Sequence, residues 1–164
     1  LPSYFNRIII GGVMNKVKIY IKSILIPLIL GGIVGLLISS SMDYNMLNKP
    51  PLALPGVVFP IVWTILYLLM GISYGIIDSN ELMDFDTKSI YYIQLVVNLL
   101  WPIIFFVFKL RLLAFIWILI LLALVVTMIV KFYSKNRVAA FLQIPYLLWV
   151  LFASYLNLFA YILN

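Results

Sequence analysis

Long apolar runs separated by short polar or basic stretches dominate the sequence. The longest run, residues 90–130, is almost continuously apolar and would form about 60 Å of helix, twice the thickness of a bilayer core. Lys109 and Arg111 interrupt it, and they belong at a surface turn because a basic side chain at mid-bilayer costs about 2.5–3.5 kcal/mol. The pattern predicts five membrane-spanning helices, at about residues 19–40, 58–77, 91–108, 112–132 and 138–163.

The composition points to the same class of protein. The chain has 164 residues, of which 66% are hydrophobic and only 10% charged, whereas soluble domains carry about 25% charged residues. We therefore predict an all-α integral membrane protein in which residues 14–164 form a single five-helix domain. Residues 1–13 precede Met14, and we interpret them as a cloning remnant or an upstream extension outside this domain.

The sequence contains neither His nor Cys. This excludes a thiolate or imidazole metal site, a disulfide, a cysteine nucleophile and a histidine base, and we predict no metal site. The formal net charge of +6 comes from 11 basic and 5 acidic residues. In a membrane chain such an excess reports on topology and anionic lipid, so nucleic acid is not an expected partner.

The basic residues are distributed unequally between the two ends of the predicted spans. Three of them, Lys49, Lys109 and Arg111, fall on the side of the first and third loops. The excess of Lys and Arg on the other side predicts a cytoplasmic N-terminus and an external C-terminus. The residues on the predicted cytoplasmic side are Arg7, Lys16, Lys18, Lys22, Lys88, Lys131, Lys135 and Arg137.

Aromatic and amide side chains recur at helical spacing on three of the predicted spans. Because an amide facing hydrocarbon would lack hydrogen-bond partners, the three stripes are expected to face one another. They would either line an aromatic-walled cavity for a flat hydrophobic ligand or simply hold the bundle together. The fourth span lacks such a stripe, so we expect it to face lipid most, with Trp117 at the membrane interface. The stripes include Trp63, Tyr67 and Tyr74, then Gln94, Asn98 and Trp101, and finally Tyr146, Trp149, Ala153 and Asn157.

Small residues and a long loop mark the first span and its connection to the second. Gly31, Gly35 and Ser39 are four residues apart, a spacing that allows another helix to approach closely, although ordinary glycines of a membrane helix are an equal alternative. The loop over residues 41–56 contains three prolines and is longer than a simple connection, so it is a candidate lid over the bundle. Its only cation, Lys49, is a candidate partner for a ligand carboxylate or a lipid phosphate; a solvated lysine is the alternative.

Three segments resemble the translocator protein family, also called tryptophan-rich sensory proteins or peripheral-type benzodiazepine receptors. They are Lys49-Pro50 with PGVVFPIVWTILYLLMG at residues 55–71, then NLLW at 98–101 followed by Phe105-Phe106, and PYLLWVLFASYLN at 145–157. They occur in the family's order within a chain of the family's size. The resemblance implies a bacterial member, a five-helix bundle in the bacterial plasma membrane that is often a homodimer.

The resemblance also implies a function and a site. Family members bind tetrapyrroles such as protoporphyrin and haem, together with isoquinoline and benzodiazepine ligands. A membrane binding protein for porphyrin-like tetrapyrroles, acting in their transport, sensing or regulation, is therefore expected, with porphyrin as a ligand and no cofactor required. The residues that match the family's ligand cavity are Tyr44, Pro55, Trp63, Tyr67, Asn98, Trp101, Tyr146, Trp149, Ala153 and Leu156.

The loop departs from the family pattern, and other functions stay open. Asp43 stands where the family usually has tryptophan, and Leu54 and Val57 replace a proline and a tryptophan. One alternative is a light-dependent protoporphyrin-degrading enzyme, in which Trp63 and Trp149 would be the catalytic residues; the other is a lipid-binding, sterol-binding or structural membrane protein. Without histidine, only Tyr or Met is available as an axial ligand, which favours metal-free porphyrin over haem.

Overall fold

The computed structural model describes residues 2–164 as a bundle of helices, with no strand in that range. Five helical stretches are long and apolar enough to cross a membrane, and the fifth consists of two helices in succession. This confirms the predicted all-α, five-span architecture. The helices are α1 (Pro2–Ile38), α2 (Val58–Ser79), α3 (Phe85–Pro102), α4 (Arg111–Lys135), α5 (Arg137–Phe141) and α6 (Ile144–Leu163).

Two helices begin earlier than the hydrophobic pattern predicts. The first helix already starts at Pro2 instead of near residue 19, and the side chains of residues 2–18 are all exposed. The third starts at Phe85 instead of near residue 91, because the Asp84 carboxylate accepts a hydrogen bond of 2.8 Å from the Thr87 amide and caps the helix. Hydropathy locates the apolar part of a helix and overlooks polar turns that continue it.

The fifth span is broken, although the sequence predicts one helix over residues 138–163. A turn at residues 142–143 separates α5 from α6. Pro145 lies in the first turn of α6, where the missing amide hydrogen of proline is tolerated. Because the proline nitrogen cannot donate a hydrogen bond to the carbonyl four residues earlier, α5 does not continue into α6. Asn136 caps α5 by accepting a hydrogen bond of 3.0 Å from the Ala139 amide.

The fourth helix is partly buried: one face packs into the bundle and the other is exposed. One stripe of α4 is fully buried, and the helix packs on α3, α5 and α6. The prediction that it faces lipid most is therefore wrong: 17% of the residues in the most apolar stretch of α1 are buried, against 28% for α4. Trp117, which the sequence predicts at the membrane interface, donates a hydrogen bond of 2.8 Å from its indole N–H to the Val97 carbonyl of α3. The buried stripe consists of Ala114, Ile118, Leu121, Val125, Met128 and Phe132.

Glycines of α2, rather than those of α1, allow the closest helix contact. A methyl group added at Gly71 would lie 2.6 Å from the Ser23 carbonyl oxygen of α1, so the two backbones touch there. Gly31 faces the ring of Tyr67, and a methyl group added at Gly35 would meet nothing within 4 Å. The small residues of α1 thus leave open space near the end of the bundle that loop 1 (residues 42–57) covers.

Candidate ligand cavity

A cavity of about 540 Å³ lies between α1, α2, α3 and α6, beneath loop 1. This volume is within the range of about 300–1,000 Å³ that is usual for sites of small organic ligands. The walls are mostly aromatic and aliphatic, with few polar groups. Of the ten residues predicted to form a ligand site, the cavity is lined by Tyr44, Trp63, Tyr67, Asn98, Trp101, Trp149, Ala153 and Leu156.

The other predicted residues are close to the cavity without all facing it. Pro55 precedes Gly56, a lining residue of loop 1, and Tyr146 lies behind the wall with 1% of its surface exposed. Lys49 lines the cavity. Its ammonium group is 3.3 Å from the Leu47 carbonyl oxygen and 5.0 Å from the centre of the Tyr44 ring, so it is folded back on its own loop.

Two tryptophans form the centre of the aromatic wall. The ring centres of Trp63 on α2 and Trp149 on α6 are 6.4 Å apart, with the ring planes nearly perpendicular at 88°. Phe59 packs edge-on against Trp149 at 5.5 Å and connects it to Tyr44 of loop 1 at 4.7 Å. The indole N–H of Trp149 is buried and has no hydrogen-bond partner among residues 2–164.

A π-helical segment, Ile103–Val107, extends α3 and completes the wall near the loop. Pro102 has no amide hydrogen, and the backbone continues with wider turns in which the Phe108 amide bonds to the Ile103 carbonyl at 3.0 Å. Phe105 and Phe106, adjacent in sequence, both line the cavity as a result. Regular helical spacing places consecutive residues on different faces, so it does not predict that both phenylalanines face the cavity; Pro102 is the sequence feature that precedes the wider turns.

A buried hydrogen-bonded network fixes the polar part of the wall. The Tyr67 hydroxyl donates to Asn98 Oδ1 at 2.6 Å, and Asn98 Nδ2 donates to the Tyr146 hydroxyl at 2.7 Å. The Tyr146 hydroxyl donates in turn to Gln94 Oε1 at 2.7 Å. The Tyr67 hydroxyl donates its proton to Asn98, and its oxygen still has lone pairs that can accept a hydrogen bond from a ligand. Through this network, polar side chains of α2, α3 and α6 satisfy one another's hydrogen-bonding groups.

Loop 1 is tied to two parts of the bundle and covers the cavity. Asp43 lies between the lining residues Met42 and Tyr44, and its carboxylate is 2.6 Å from Nη2 of Arg111 at the start of α4. Lys109 is 3.7 Å from the same oxygen. These residues are absent from the predicted site, although loop 1 has one acidic residue and the third loop two basic ones. The opposite charges of Asp43 and the two basic residues are the sequence feature from which this contact could be predicted.

Hydrogen bonds hold the rest of the loop. The Tyr44 hydroxyl donates to the Leu54 carbonyl at 2.6 Å, and burial raises the pKa of this hydroxyl, so it stays protonated and keeps donating. The Tyr155 hydroxyl of α6 donates to the Pro51 carbonyl at 2.7 Å. The loop thus has the position and the attachments of a lid.

The fold and the site define a class: helical membrane proteins that enclose an aromatic cavity under a loop. The model of the TspO/MBR family matches residues 23–162, which is most of the chain. The chain belongs to the TspO/MBR family and is an integral membrane protein.

Relatives with curated names agree with this assignment. The chain is 36% identical to a protein of Archaeoglobus fulgidus named tryptophan-rich protein TspO, over 92% of this chain and 99% of that one. It is 35% identical to protein CrtK of Rhodobacter capsulatus, over 81% of this chain and 85% of that one. A translocator protein homolog of Schizosaccharomyces pombe is 32% identical, over 85% of this chain and 88% of the relative.

Proposed function

We propose that the cavity binds a porphyrin-like tetrapyrrole, with metal-free protoporphyrin as the ligand, and that the protein acts in tetrapyrrole transport, sensing or regulation. The observation that best supports this proposal is the cavity of about 540 Å³, whose wall includes Trp63 and Trp149. A flat aromatic ligand gains about 0.5–1.5 kcal/mol per ring contact beyond the burial of its surface. Burial of the macrocycle therefore supplies most of the affinity, and the rings supply its orientation.

The polar groups of the wall support the same ligand class. Tyr67 lines the cavity, and its hydroxyl oxygen can accept a hydrogen bond from a ligand. Lys49 lines the cavity near the loop and can rotate from its backbone contacts to a ligand carboxylate. The chain has no histidine, so the usual strong ligand of haem iron is missing and metal-free porphyrin is the better fit.

A fluorescence titration tests the proposal. Protoporphyrin is added to the purified protein in detergent or lipid nanodiscs, and quenching of tryptophan fluorescence is followed. We expect saturable quenching that an isoquinoline-type ligand displaces. Absence of saturable binding up to tens of micromolar would overturn the tetrapyrrole proposal and favour a lipid-binding or structural role.

Tryptophan variants locate the binding site in the same assay. Trp63→Leu and Trp149→Leu each remove one ring contact and are expected to weaken binding about threefold to tenfold. Trp117→Leu is the matched control, because Trp117 donates to the Val97 carbonyl and does not line the cavity. Equal affinities in all three variants would place the ligand elsewhere.

Light-dependent degradation of the bound porphyrin is a second candidate function. It is favoured by the contact between Trp63 and Trp149, which places two oxidisable indoles beside the ligand. Illumination of the complex should then remove the Soret band and give one stable product. This product should be absent from Trp63→Phe and Trp149→Phe but present with Trp117→Phe. An unchanged spectrum during illumination of the saturated complex would exclude this activity.

A further inference from the structure

A second cavity, of about 310 Å³, lies at the end of the bundle opposite to loop 1. Three helices line it, and each contributes a pair of side chains four residues apart, a spacing that puts both on one face of the helix. The volume is at the lower end of the usual range for small-ligand sites, so it suits a compact polar group better than a macrocycle. The pairs are Lys22 and Ile26 on α1, Tyr74 and Asp78 on α2, and Lys88 and Tyr92 on α3.

The charged residues of this second cavity lie where the apolar spans end. Lys22 is the last charged residue before the apolar part of α1, and Lys88 is the last one before the apolar part of α3. Asp78 is the first charged residue after the apolar part of α2. Three helices thus place the boundary of their apolar parts at one cavity. The cavity therefore lies at the level of the lipid headgroups.

Charges of both signs line the second cavity. The Asp84 carboxylate lies 2.6 Å from the ammonium group of Lys135, so the protein itself neutralises this charge. Lys22, Lys88 and Asp78 form no ion pair among residues 2–164. The two ammonium groups can pair with a phosphate, and the carboxylate can pair with an amine. The cavity is thus complementary to a group that carries a phosphate and an ammonium together.

Two tyrosines accompany the carboxylate of Asp78. Its charge acts on the hydroxyls of both Tyr74 and Tyr92, whose ring centres are 5.8 Å apart with an interplanar angle of 69°. A carboxylate beside phenol rings suits an ammonium group, because the ring faces and the hydroxyl oxygens also attract a cation. Asp78 is partly buried, so solvent screens such a pair less than a fully exposed one. This part of the cavity favours an amine over a second anion.

We propose that the second cavity binds the headgroup of a membrane phospholipid that carries an amine, with phosphatidylethanolamine as the ligand. Lys22 and Lys88 bind the phosphate, and Asp78 with the two tyrosine hydroxyls binds the ammonium group. A purely anionic headgroup fits less well, because Asp78 repels it. The bound headgroup connects α1, α2 and α3 at the end of the bundle opposite to loop 1. This site is separate from the cavity beneath loop 1 and does not depend on which ligand that cavity binds.

Native mass spectrometry of the full chain in detergent tests the site by competition. Phosphatidylethanolamine and phosphatidylglycerol with identical acyl chains are added at equal concentration, and the two lipid-bound species are compared. We expect phosphatidylethanolamine to be retained about fivefold better, since only its headgroup pairs with Asp78. Asp78→Asn should remove this preference, so that both lipids are retained about equally. Because the comparison is a ratio within the folded protein, a loss of stability in the variant does not affect it.

The lysines are tested in the same assay. Lys22→Gln and Lys88→Gln each remove one phosphate contact and are expected to weaken retention of both lipids about fivefold. Lys16→Gln and Asp86→Asn are the matched controls, because they change the net charge equally at exposed positions that do not line the cavity. Wild-type retention in both lysine variants would overturn the assignment of the phosphate.

Three further results would overturn the proposal. The first is equal retention of the two lipids, or a preference for phosphatidylglycerol, in the wild type. The second is an unchanged preference in Asp78→Asn. The third comes from soluble phosphoethanolamine, which has the same charged groups without acyl chains. We expect it to leave the bound lipid in place at the concentration of the lipid, whereas full displacement would assign the cavity to a free small molecule.

Discussion

Asn98 is the residue on which the polar wall of the cavity depends. Its carbonyl oxygen accepts from Tyr67, and its amide nitrogen donates to Tyr146, so one side chain satisfies groups on two other helices. It is 2% exposed and has no access to bulk water as a substitute partner. A residue of this kind combines structural and binding roles, because the same contacts that hold the helices also fix the ligand-facing oxygen of Tyr67.

Asn98→Leu is therefore expected to destabilise the bundle and weaken binding together. The substitution leaves two buried hydroxyls without their present partners, which we expect to lower the free energy of unfolding by about 1–3 kcal/mol. Denaturation in mixed detergent measures the change. Asn15→Leu is the control, since Asn15 is exposed on α1. Wild-type stability and wild-type protoporphyrin affinity in Asn98→Leu would show that the network carries neither role.

At the scale of single residues, sequence patterns predicted chemical types better than orientations. The amides and rings of α2, α3 and α6 face a common interior because amides need partners in a membrane, an argument that requires no coordinates. The family resemblance places Tyr146 among the ligand residues, yet its side chain is 1% exposed and lies behind the wall, where its hydroxyl bonds to Asn98 and Gln94. Spacing defines a helix face, but it does not define which member of that face a neighbouring side chain covers.

At the scale of elements, ion pairs connect loop 1 to the start of α4 beside the cavity. The Arg111 side chain is 13% exposed and pairs with Asp43 at 2.6 Å, whereas Lys109 is 56% exposed and 3.7 Å away. Arg111 also lies 4.2 Å from the centre of the Phe105 ring, which lines the cavity. The better-buried pair is expected to be the stronger attachment, since exposed ion pairs contribute little.

Arg111→Met is expected to loosen the lid and speed ligand release. Loss of the short charge-assisted hydrogen bond to Asp43 should raise the dissociation rate of bound protoporphyrin about tenfold or more. Stopped-flow dilution of the complex measures this rate. Lys109→Met, at the weaker contact, should change it by less than about threefold. Equal rates in the wild type and Arg111→Met would show that this ion pair does not hold the loop closed.

A second ion pair connects elements at the opposite end of the bundle. Asp84, the capping residue of α3, lies 2.6 Å from the ammonium group of Lys135 at the end of α4. The hydrogen bond from Lys135, together with the one from the Thr87 amide, holds the pKa of Asp84 well below its ordinary value of 3.8. A carboxylate with a lowered pKa in the folded state stabilises the fold above its ordinary pKa and loses this effect as the pH falls.

The sign of this linkage gives a prediction for acid pH. As the pH falls below about 4, the melting temperature of the wild type should decrease more steeply than that of Asp84→Asn, because the variant has no carboxylate to protonate. Asp86→Asn is the control, since Asp86 forms no ion pair within residues 2–164. If the melting temperatures of the wild type and Asp84→Asn fall equally between pH 7 and pH 3, the Asp84 carboxylate does not stabilise the fold in this way.

The elements themselves were predictable where one physical effect dominates. The cost of placing Lys109 and Arg111 in hydrocarbon is large, and the chain does turn at residues 108–110. The start of α3 and the break before α6 depend on a cap at Asp84 and on Pro145, which are small local terms that hydropathy does not contain. The burial of α4 depends on which helices surround it, and a single sequence holds no direct record of those neighbours.

At the scale of the whole molecule, the absence of cysteine makes the predicted orientation easy to test. Single cysteines at Asn45 in loop 1 and at Asn80 after α2 lie at opposite ends of the bundle. The excess of basic residues predicts that a membrane-impermeant thiol reagent labels Asn45→Cys in intact cells and labels Asn80→Cys only after lysis. The reverse labelling pattern would show that the N-terminus is external and the C-terminus cytoplasmic.

The packing of α1 against α2 explains why the cavity exists. Gly71 of α2 contacts the α1 backbone at Ser23, near the middle of that helix, while Gly31, Gly32 and Gly35, farther along α1, line the cavity. At Gly31 the ring of Tyr67 fills the gap between the two helices, and a methyl group added at Gly35 would meet nothing within 4 Å. This arrangement places the aromatic rings of α2 and α6 around empty space beneath loop 1. The tetrapyrrole of the proposed function would occupy this cavity.

The most direct measurement of that claim is protoporphyrin binding to a variant whose cavity is filled. A Cβ atom added at Gly35 would meet nothing within 4 Å, and Gly35 lines the cavity, so we expect Gly35→Phe to fold normally and its ring to occupy the space that the ligand needs. Gly12→Phe, on an exposed part of α1 that also has nothing within 4 Å, is the control. We predict that Gly35→Phe abolishes saturable binding at an unchanged melting temperature, while Gly12→Phe binds like the wild type. Wild-type affinity in a folded Gly35→Phe variant would contradict binding in this cavity.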